Sequence, residues 1–340
     1  MNIIPTIFNN IMPPYTAVGG VTRRGNSGLS AVVLSRGGRY LRRNLFQELE
    51  KVGFDYIISI EGSHECYDIE DLSSRFPHIR FILIKDRINT GEQINLAAAE
   101  VTTPFFFVLW SDVRILHSGG ASRMVERLNQ VDKRLCTVPI IQNAHFETLP
   151  TITVPGDFKG TFRPLLFTPN KDGESSLYPF DGVGIYDRNR FIAVGGFDTS
   201  IRNNYWQLVD FGFRSHLWGE KIQSSHLIRL SYNGETPPED TTAEDSYRRF
   251  YLKNLALIFR ADSASIPLTH FFGYWFHSGQ GFFSAWADFS AARTWITTNR
   301  YRFRSDARAL SELWEDIGEH PEIKQLPAGS DESVESELEE

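Results

Sequence analysis

Three aspartates stand where this chain could do acid–base or metal chemistry. Asp112 closes the run Phe105-Phe106-Phe107-Val108-Leu109-Trp110-Ser111. A carboxylate at a strand end can hold Mg²⁺ or Mn²⁺, hard cations that prefer oxygen ligands. Asp210 could act as a general base if a semi-buried cleft raised its pKa. With Arg214 four residues on, it could equally be half of a helical ion pair. Asp198, after Gly195-Gly196-Phe197, is a second candidate base that also suits a turn or cap. Ser35, Arg36 and Glu61 follow short apolar runs, where they could hydrogen-bond a ligand or simply build turns, and Gly62 would let backbone approach. Trp110 could stack on a flat ligand or end a core strand. Lys85, Arg87 or Arg214 could neutralise phosphate without a metal. His216, His226, His270 or His277 could add a metal ligand, although an isolated histidine is more often structural.

These residues need elements to position them. Leu29 to Leu34, Tyr56 to Ile60, Arg80 to Ile84 and Phe105 to Leu109 are short apolar runs, the pattern of buried parallel strands. Between them, Leu41, Leu45, Leu49 and Val52 recur at helical spacing, and Ile69 to Phe76 and Glu92 to Val101 read as further helices. The alternation predicts an α/β fold with a doubly wound, mainly parallel sheet flanked by helices. Ligands bind such sheets beyond the carboxyl ends of the strands, after Leu34, Ile60, Ile84 and Leu109. A helix over 120–131, a strand over 135–141 and a polar, proline-punctuated stretch to Pro179 follow, then an acidic loop from Glu235 to Asp245 and a helix from about Ser246 to Arg260.

The predicted organisation is an irregular arm over 1–28, an α/β domain over 29–232, a helical, aromatic-rich C-terminal extension over 233–325 and a disordered acidic tail over 326–340. With 340 residues, a single continuous core is the default. A net charge of -7 argues against a nucleic-acid-coating protein, which must cluster cations against phosphates. Cys66 and Cys136 lack metal-ligand spacing, which fits a reducing compartment. No run reaches the about 18 apolar residues of a spanning helix, so the expectation is a cytoplasmic protein with peripheral membrane contact open. The aromatic block around Phe271, Phe272, Trp275, Phe276, Phe283 and Trp286 could form core, an acceptor platform, a membrane patch or a dimer face; its glycines weaken the membrane option.

Four segments, in order over residues 29–222, resemble the GT-A fold of the family 2 glycosyltransferases. They are Ser30 to Leu34 with Ser35-Arg36-Gly37; Ile58 to Ser63, similar to the family's Val-Val-Asp-Asp-Gly-Ser turn; Asn89-Thr90-Gly91 through Asn95 to Trp110-Ser111-Asp112, similar to its Asn-x-Gly, helix and Asp-x-Asp; and Gly182 through Gly195-Gly196-Phe197-Asp198 to Gly219, similar to its acceptor-side block. Each acidic motif departs by at least one carboxylate. Ile60 replaces the first acid of the turn, Trp110 replaces the first Asp of Asp-x-Asp, and Gln207-Leu208 occupies the Glu-Asp pair whose Asp serves as base.

The resemblance implies a nucleotide-sugar substrate, a glycan, lipid-linked or protein acceptor, and a divalent cation, Mn²⁺ or Mg²⁺, at Asp112. It places Ser35, Arg36, Glu61, Lys85, Gly91, Asn95, Trp110 and Asp112 on the donor side. Asp210, or Asp198, remains to serve as base in an inverting transfer. A catalytically inactive nucleotide-sugar or glycan-binding module is the competing expectation. A dinucleotide oxidoreductase is disfavoured, because the first strand lacks the Gly-x-Gly-x-x-Gly turn that lets backbone approach a pyrophosphate.

Overall fold

The computed structural model describes residues 12–20, 23–36, 39–62, 68–117, 119–130, 133–158, 161–236 and 238–314. In chain order the first half is β1 (Tyr15–Val18), β2 (Leu29–Leu34), α1 (Arg39–Val52), β3 (Ile57–Glu61), α2 (Ile69–Arg75), β4 (Ile79–Ile84), α3 (Thr90–Glu100), β5 (Phe105–Trp110), β6 (Val113–His117), α4 (Ala121–Gln130) and β7 (Cys136–Gln142). The second half is β8 (Ile152–Phe158), β9 (Thr161–Phe167), β10 (Gly184–Asp187), α5 (Arg188–Ala193), α6 (Asn204–Leu217), β11 (Ile222–Tyr232), α7 (Asp245–Phe250), β12 (Ile258–Arg260), β13 (Ser263–Ser265), α8 (His270–Ser278), α9 (Phe282–Asn299) and α10 (Ala307–Glu312).

Among the described residues, one nine-stranded sheet runs in the order β1-β4-β3-β2-β5-β10-β7-β11-β6. Strands β4, β3, β2, β5, β7 and β11 point one way, and β1, β10 and β6 run against them. The sheet is therefore mixed but predominantly unidirectional, with helices on its faces. Every residue of β2 and β3 is buried, as continuous apolar strands covered on both faces must be.

Contrary to the expectation of an irregular arm over 1–28, Tyr15–Val18 forms an edge strand, Tyr15 opposite Ile84. Tyr15 also donates to Glu100 at 2.5 Å, tying the strand to the end of α3. The helix expected over 246–260 is another correction. Regular helix stops at Phe250, a π-helical turn covers Tyr251–Leu255 with Ala256 N–H bonded to the Tyr251 carbonyl, and the chain then enters the β12–β13 hairpin. The wider turn carries Lys253 and Asn254 into the interior, where both are buried. The aromatic block splits: Phe271, Tyr274 and Phe289 are core, whereas Phe272, Phe276 and Phe283 stand exposed on α8 and α9. Gly279, at φ 65°, ends α8. Cys136 is a free, buried thiol, and its pKa is pushed up by burial. The second cysteine, Cys66, and the expected acidic tail lie outside the described residues. No helix among those residues is long and apolar enough to cross a membrane.

Two helices set the geometry of the site. Helix α3 begins with a capping box: the Asn89 side chain accepts from Glu92 N–H at 2.9 Å, and the Glu92 carboxylate accepts from Asn89 N–H at 3.0 Å. Helix α6 is capped by Asn203, which accepts from Trp206 N–H at 3.1 Å, and nearly its whole length is buried. Its Gly212 lies so close to the chain at Leu177 that a Cβ would sit 2.1 Å from that carbonyl oxygen. Gly212→Ala is expected to destabilise the fold by about 1–3 kcal/mol or more, by overpacking against backbone that cannot yield. Gly273→Ala, at an exposed α8 position with nothing within 4 Å, should be neutral or stabilising by about 0.5–1 kcal/mol. Urea unfolding of both variants checks the contrast.

Candidate functional site

The carboxyl ends of β2 and β5 lie side by side, Leu34 opposite Trp110. Just beyond them, Arg36 N–H donates to Ser111 Oγ at 2.8 Å and Ser111 N–H donates to the Leu34 carbonyl at 2.9 Å, so Arg36 and Asp112 leave the sheet together. The Arg36 guanidinium then joins three elements. Its Nε is 2.8 Å from Asp112 Oδ2 and its Nη2 is 3.2 Å from Asp112 Oδ1. Nη1 and Nη2 reach the two oxygens of Asp181 at 3.1 and 2.8 Å. The group lies 4.3 Å from the Trp110 ring centre and 5.8 Å from that of Tyr232, a stacked cation.

Asp181 is in turn fixed by Tyr232, whose hydroxyl donates to it at 2.9 Å, while the Trp110 indole N–H donates to its carbonyl at 2.9 Å. Its backbone is left-handed, at φ 55°. Burial raises the Asp181 pKa against the opposing pull of Arg36 and Tyr232. For Arg36, burial works against the charge, but the hydrogen bonds it donates to the two carboxylates outweigh burial and keep it cationic.

Arg36, Trp110 and Asp181 line a cleft of about 350 Å³. Arg202, just before α6, Tyr205 and Leu208 of α6, and Glu239 and Asp240 on the loop after β11 line it too. Trp206 Nε1 donates to the Thr242 carbonyl at 2.8 Å and Asn203 Nδ2 to the Asp240 carbonyl at 3.0 Å, which tie that loop to α6. Glu239 accepts from the Tyr178 hydroxyl at 3.1 and 3.3 Å on its two oxygens. Burial raises the Glu239 pKa; the Tyr178 bond opposes this and the charge of Asp181 adds to it.

The site residues expected from sequence divide sharply. Arg36, Trp110 and Asp112 come together, with Ser35 half-buried beside them. Lys85 is exposed on the loop after β4. Glu61 is fully buried in an ion pair with Arg42 and accepts from Ser59 Oγ at 2.6 Å, so it is spent inside the fold instead of facing a ligand. Gly91 and Asn95 pack α3 onto its neighbours. Gly91 N–H donates to Gln207 Oε1 at 2.8 Å, and a Cβ on Gly91 would meet Gln207 at 2.5 Å. Asn95 exchanges two 2.9 Å hydrogen bonds with the backbone of Phe197.

Both expected bases are corrected. Asp210 is fully buried; Lys253 Nζ at 2.7 Å, Asn254 Nδ2 at 2.8 Å and Arg214 at 3.5 Å all donate to it. Asp198 is equally buried and accepts from Lys253 Nζ and Arg249 Nε, each at 2.8 Å. Burial alone would raise the Asp198 pKa, but Lys253 and Arg249 hold it well below the usual carboxylate range. Neither is placed to take a proton from a substrate. Arg214 is buried too, donating to the carbonyls of Val194 and Gly196, so it is no phosphate ligand.

The metal expectation fails a test of fit. All four oxygens of Asp112 and Asp181 already accept from Arg36, and among the described residues no three His, Cys, Asp or Glu side chains gather to hold an ion. His216 is half-buried with Nε2 2.9 Å from the Ser176 carbonyl, and desolvation lowers its pKa to about 4.

No family model and no curated protein sequence matches the chain. Solved structures do. GalNAc-T7, in a crystal structure with UDP, GalNAc and Mn²⁺, aligns with a TM-score of 0.50 at 13% identity, over 66% of this chain and 50% of that one. The fold is GT-A. The chain spans half the length of that relative. S. aureus TarS 1-349 in complex with UDP-GlcNAc aligns with a TM-score of 0.44 at 10% identity, over 79% of this chain and 72% of that one. Trp110 and Leu208 line one cleft.

Sequence reasoning missed Asp181, Tyr232 and Glu239. Asp181 stands in a Pro-Phe-Asp-Gly turn and Glu239 in a loop already recognised as acidic, but neither carries a motif.

The buried cation is expected to dominate stability. Lys253→Met should cost about 3–5 kcal/mol, because Asp198 and Asp210 would lose a shared buried partner. Urea unfolding measures the loss, and a change below about 1 kcal/mol would contradict the assignment.

Proposed function

We propose that the chain binds a nucleoside-diphosphate sugar in the cleft between Trp110 and Leu208 and transfers the sugar to a hydroxyl of a glycan, lipid-linked or protein acceptor. The observation that carries this reading is the convergence in one cleft of the strand-end residues Arg36 and Trp110 with the start of α6. In a GT-A fold the strand ends are the donor side and the α6 block is the acceptor side.

Arg36 is the group for the diphosphate. A planar guanidinium offers paired N–H donors that match phosphate oxygens. At rest Asp112 and Asp181 occupy its donors. A diphosphate would replace one of them. Trp110 adds a flat face for a sugar or base, and it stands where the resemblance puts an acid. GalNAc-T7 was crystallised with Mn²⁺; here both carboxylates near the strand ends serve the guanidinium, and the reading uses no metal.

A second reading, a binding module without turnover, is favoured by Leu208, which lines the cleft at the aligned base position and cannot accept a proton. Titration calorimetry with UDP, UDP-GlcNAc and UDP-GalNAc, with and without EDTA, tests the binding claim. Binding should survive EDTA, weaken about 10-fold in Trp110→Ala and fall below detection in Arg36→Met. No binding by the unaltered chain would end the proposal. Binding with no release of sugar over hours favours the module.

A further inference from the structure

We infer that Glu239 is the general base of this cleft, in place of the side chain that Leu208 cannot provide; the inference rests on the transfer reading above. The acids expected for this task, Asp210 and Asp198, are locked in buried ion pairs. Among the described contacts, Glu239 and Asp240 are the carboxylates that line the same cleft as Trp110 and Leu208 without being tied to a cation. Asp240 is exposed and accepts hydrogen bonds from Thr242, which lower its pKa, whereas Glu239 is partly buried and held by the Tyr178 hydroxyl. Glu239 lines this cleft together with Arg36 and Leu208.

Its surroundings suit proton transfer. The carboxylate is partly buried, and burial with the nearby charge of Asp181 moves its pKa upward, toward the range where a base is both free to accept and strong enough to pull. The Tyr178 hydroxyl holds it from behind, and Tyr178 is fully buried, so the carboxylate has a fixed seat. The loop itself is anchored by the Trp206 and Asn203 bonds to the start of α6, so the base and Leu208 keep one spacing.

The acceptor hydroxyl oxygen attacks the anomeric carbon of the donor, its proton passes to a Glu239 carboxylate oxygen, and the bond from that carbon to the diphosphate oxygen breaks with both electrons leaving on the diphosphate. The products are a glycoside of inverted configuration, a nucleoside diphosphate near Arg36, and protonated Glu239, which returns its proton to water. Where water replaces the acceptor, the product is the free sugar, also inverted. Tyr178 is a positioning residue: its hydrogen bond favours the charged carboxylate, so it sets the pH at which the base is ready.

The test measures hydrolysis of UDP-GlcNAc and UDP-GalNAc by proton NMR, with UDP affinity measured in parallel by calorimetry. The unaltered chain should release the sugar as the β-anomer first, at a rate that rises with pH and then levels. Glu239→Gln should lower the rate about 100-fold or more with UDP affinity within about 2-fold of the unaltered chain. Glu239→Asp should restore part of the rate, and Tyr178→Phe should move the midpoint of the pH profile upward. Three results overturn the inference: Glu239→Gln retaining more than about a tenth of the rate, α-anomer as first product, or UDP bound with no hydrolysis by the unaltered chain. The last two leave donor binding standing. If UDP is not bound at all, the reading beneath the inference falls and takes the inference with it.

Discussion

The placement of Lys253 between Asp198 and Asp210 is the constraint on which the cleft depends. One buried ammonium, 2.8 and 2.7 Å from two fully buried carboxylates, joins the turn before α6, the middle of α6 and the π-helical turn after α7. Isolated buried charges are costly, so these groups cannot separate without exposing an unpaired ion to the interior. Arg249, Arg214 and Asn254 complete the cluster. The result is an α6 whose position is over-determined. Leu208, and the loop that carries Glu239, inherit that rigidity through Trp206 and Asn203.

The other side of the cleft rests on a second cation. Arg36 stacks on Trp110 and bridges Asp112 to Asp181, which links β2, β5 and the turn before β10 through one side chain. Trp110 provides a ring face, and the guanidinium stacked on it provides a fixed positive charge. Arg36 is partly exposed whereas Lys253 is not, so only Arg36 is open to exchange its partners for a ligand.

Much of the sheet was legible because its strands are continuous apolar runs. Leu29 to Leu34 and Phe105 to Leu109 read as strands from composition alone, whereas the helix expected from Glu92 begins at Thr90, after the capping box of Asn89 and Glu92. The strand Tyr15–Val18 was not legible: only its outer residues are partly buried, and it owes its form to the edge of β4. The π-helical turn was hidden for a different reason. Lys253 and Asn254 read as surface residues of a helix until Asp198 and Asp210 are known to lie beneath them. The same buried pairing explains why those two aspartates looked catalytic: a carboxylate in a motif position announces charge, and sequence does not say which cation has already claimed it. Glu239 was obscured in the opposite way. Its loop is acidic throughout, and only the fold singles out the one member that turns toward Tyr178.

A crystal structure of the chain bound to UDP, grown without and then with Mn²⁺, tests the central claim most directly. The account predicts a diphosphate hydrogen-bonded to the Arg36 guanidinium in both crystals, in the cleft between Trp110 and Leu208. A Mn²⁺ ion bridging Asp112 and Asp181 with Arg36 expelled, or UDP bound away from this cleft, would contradict it.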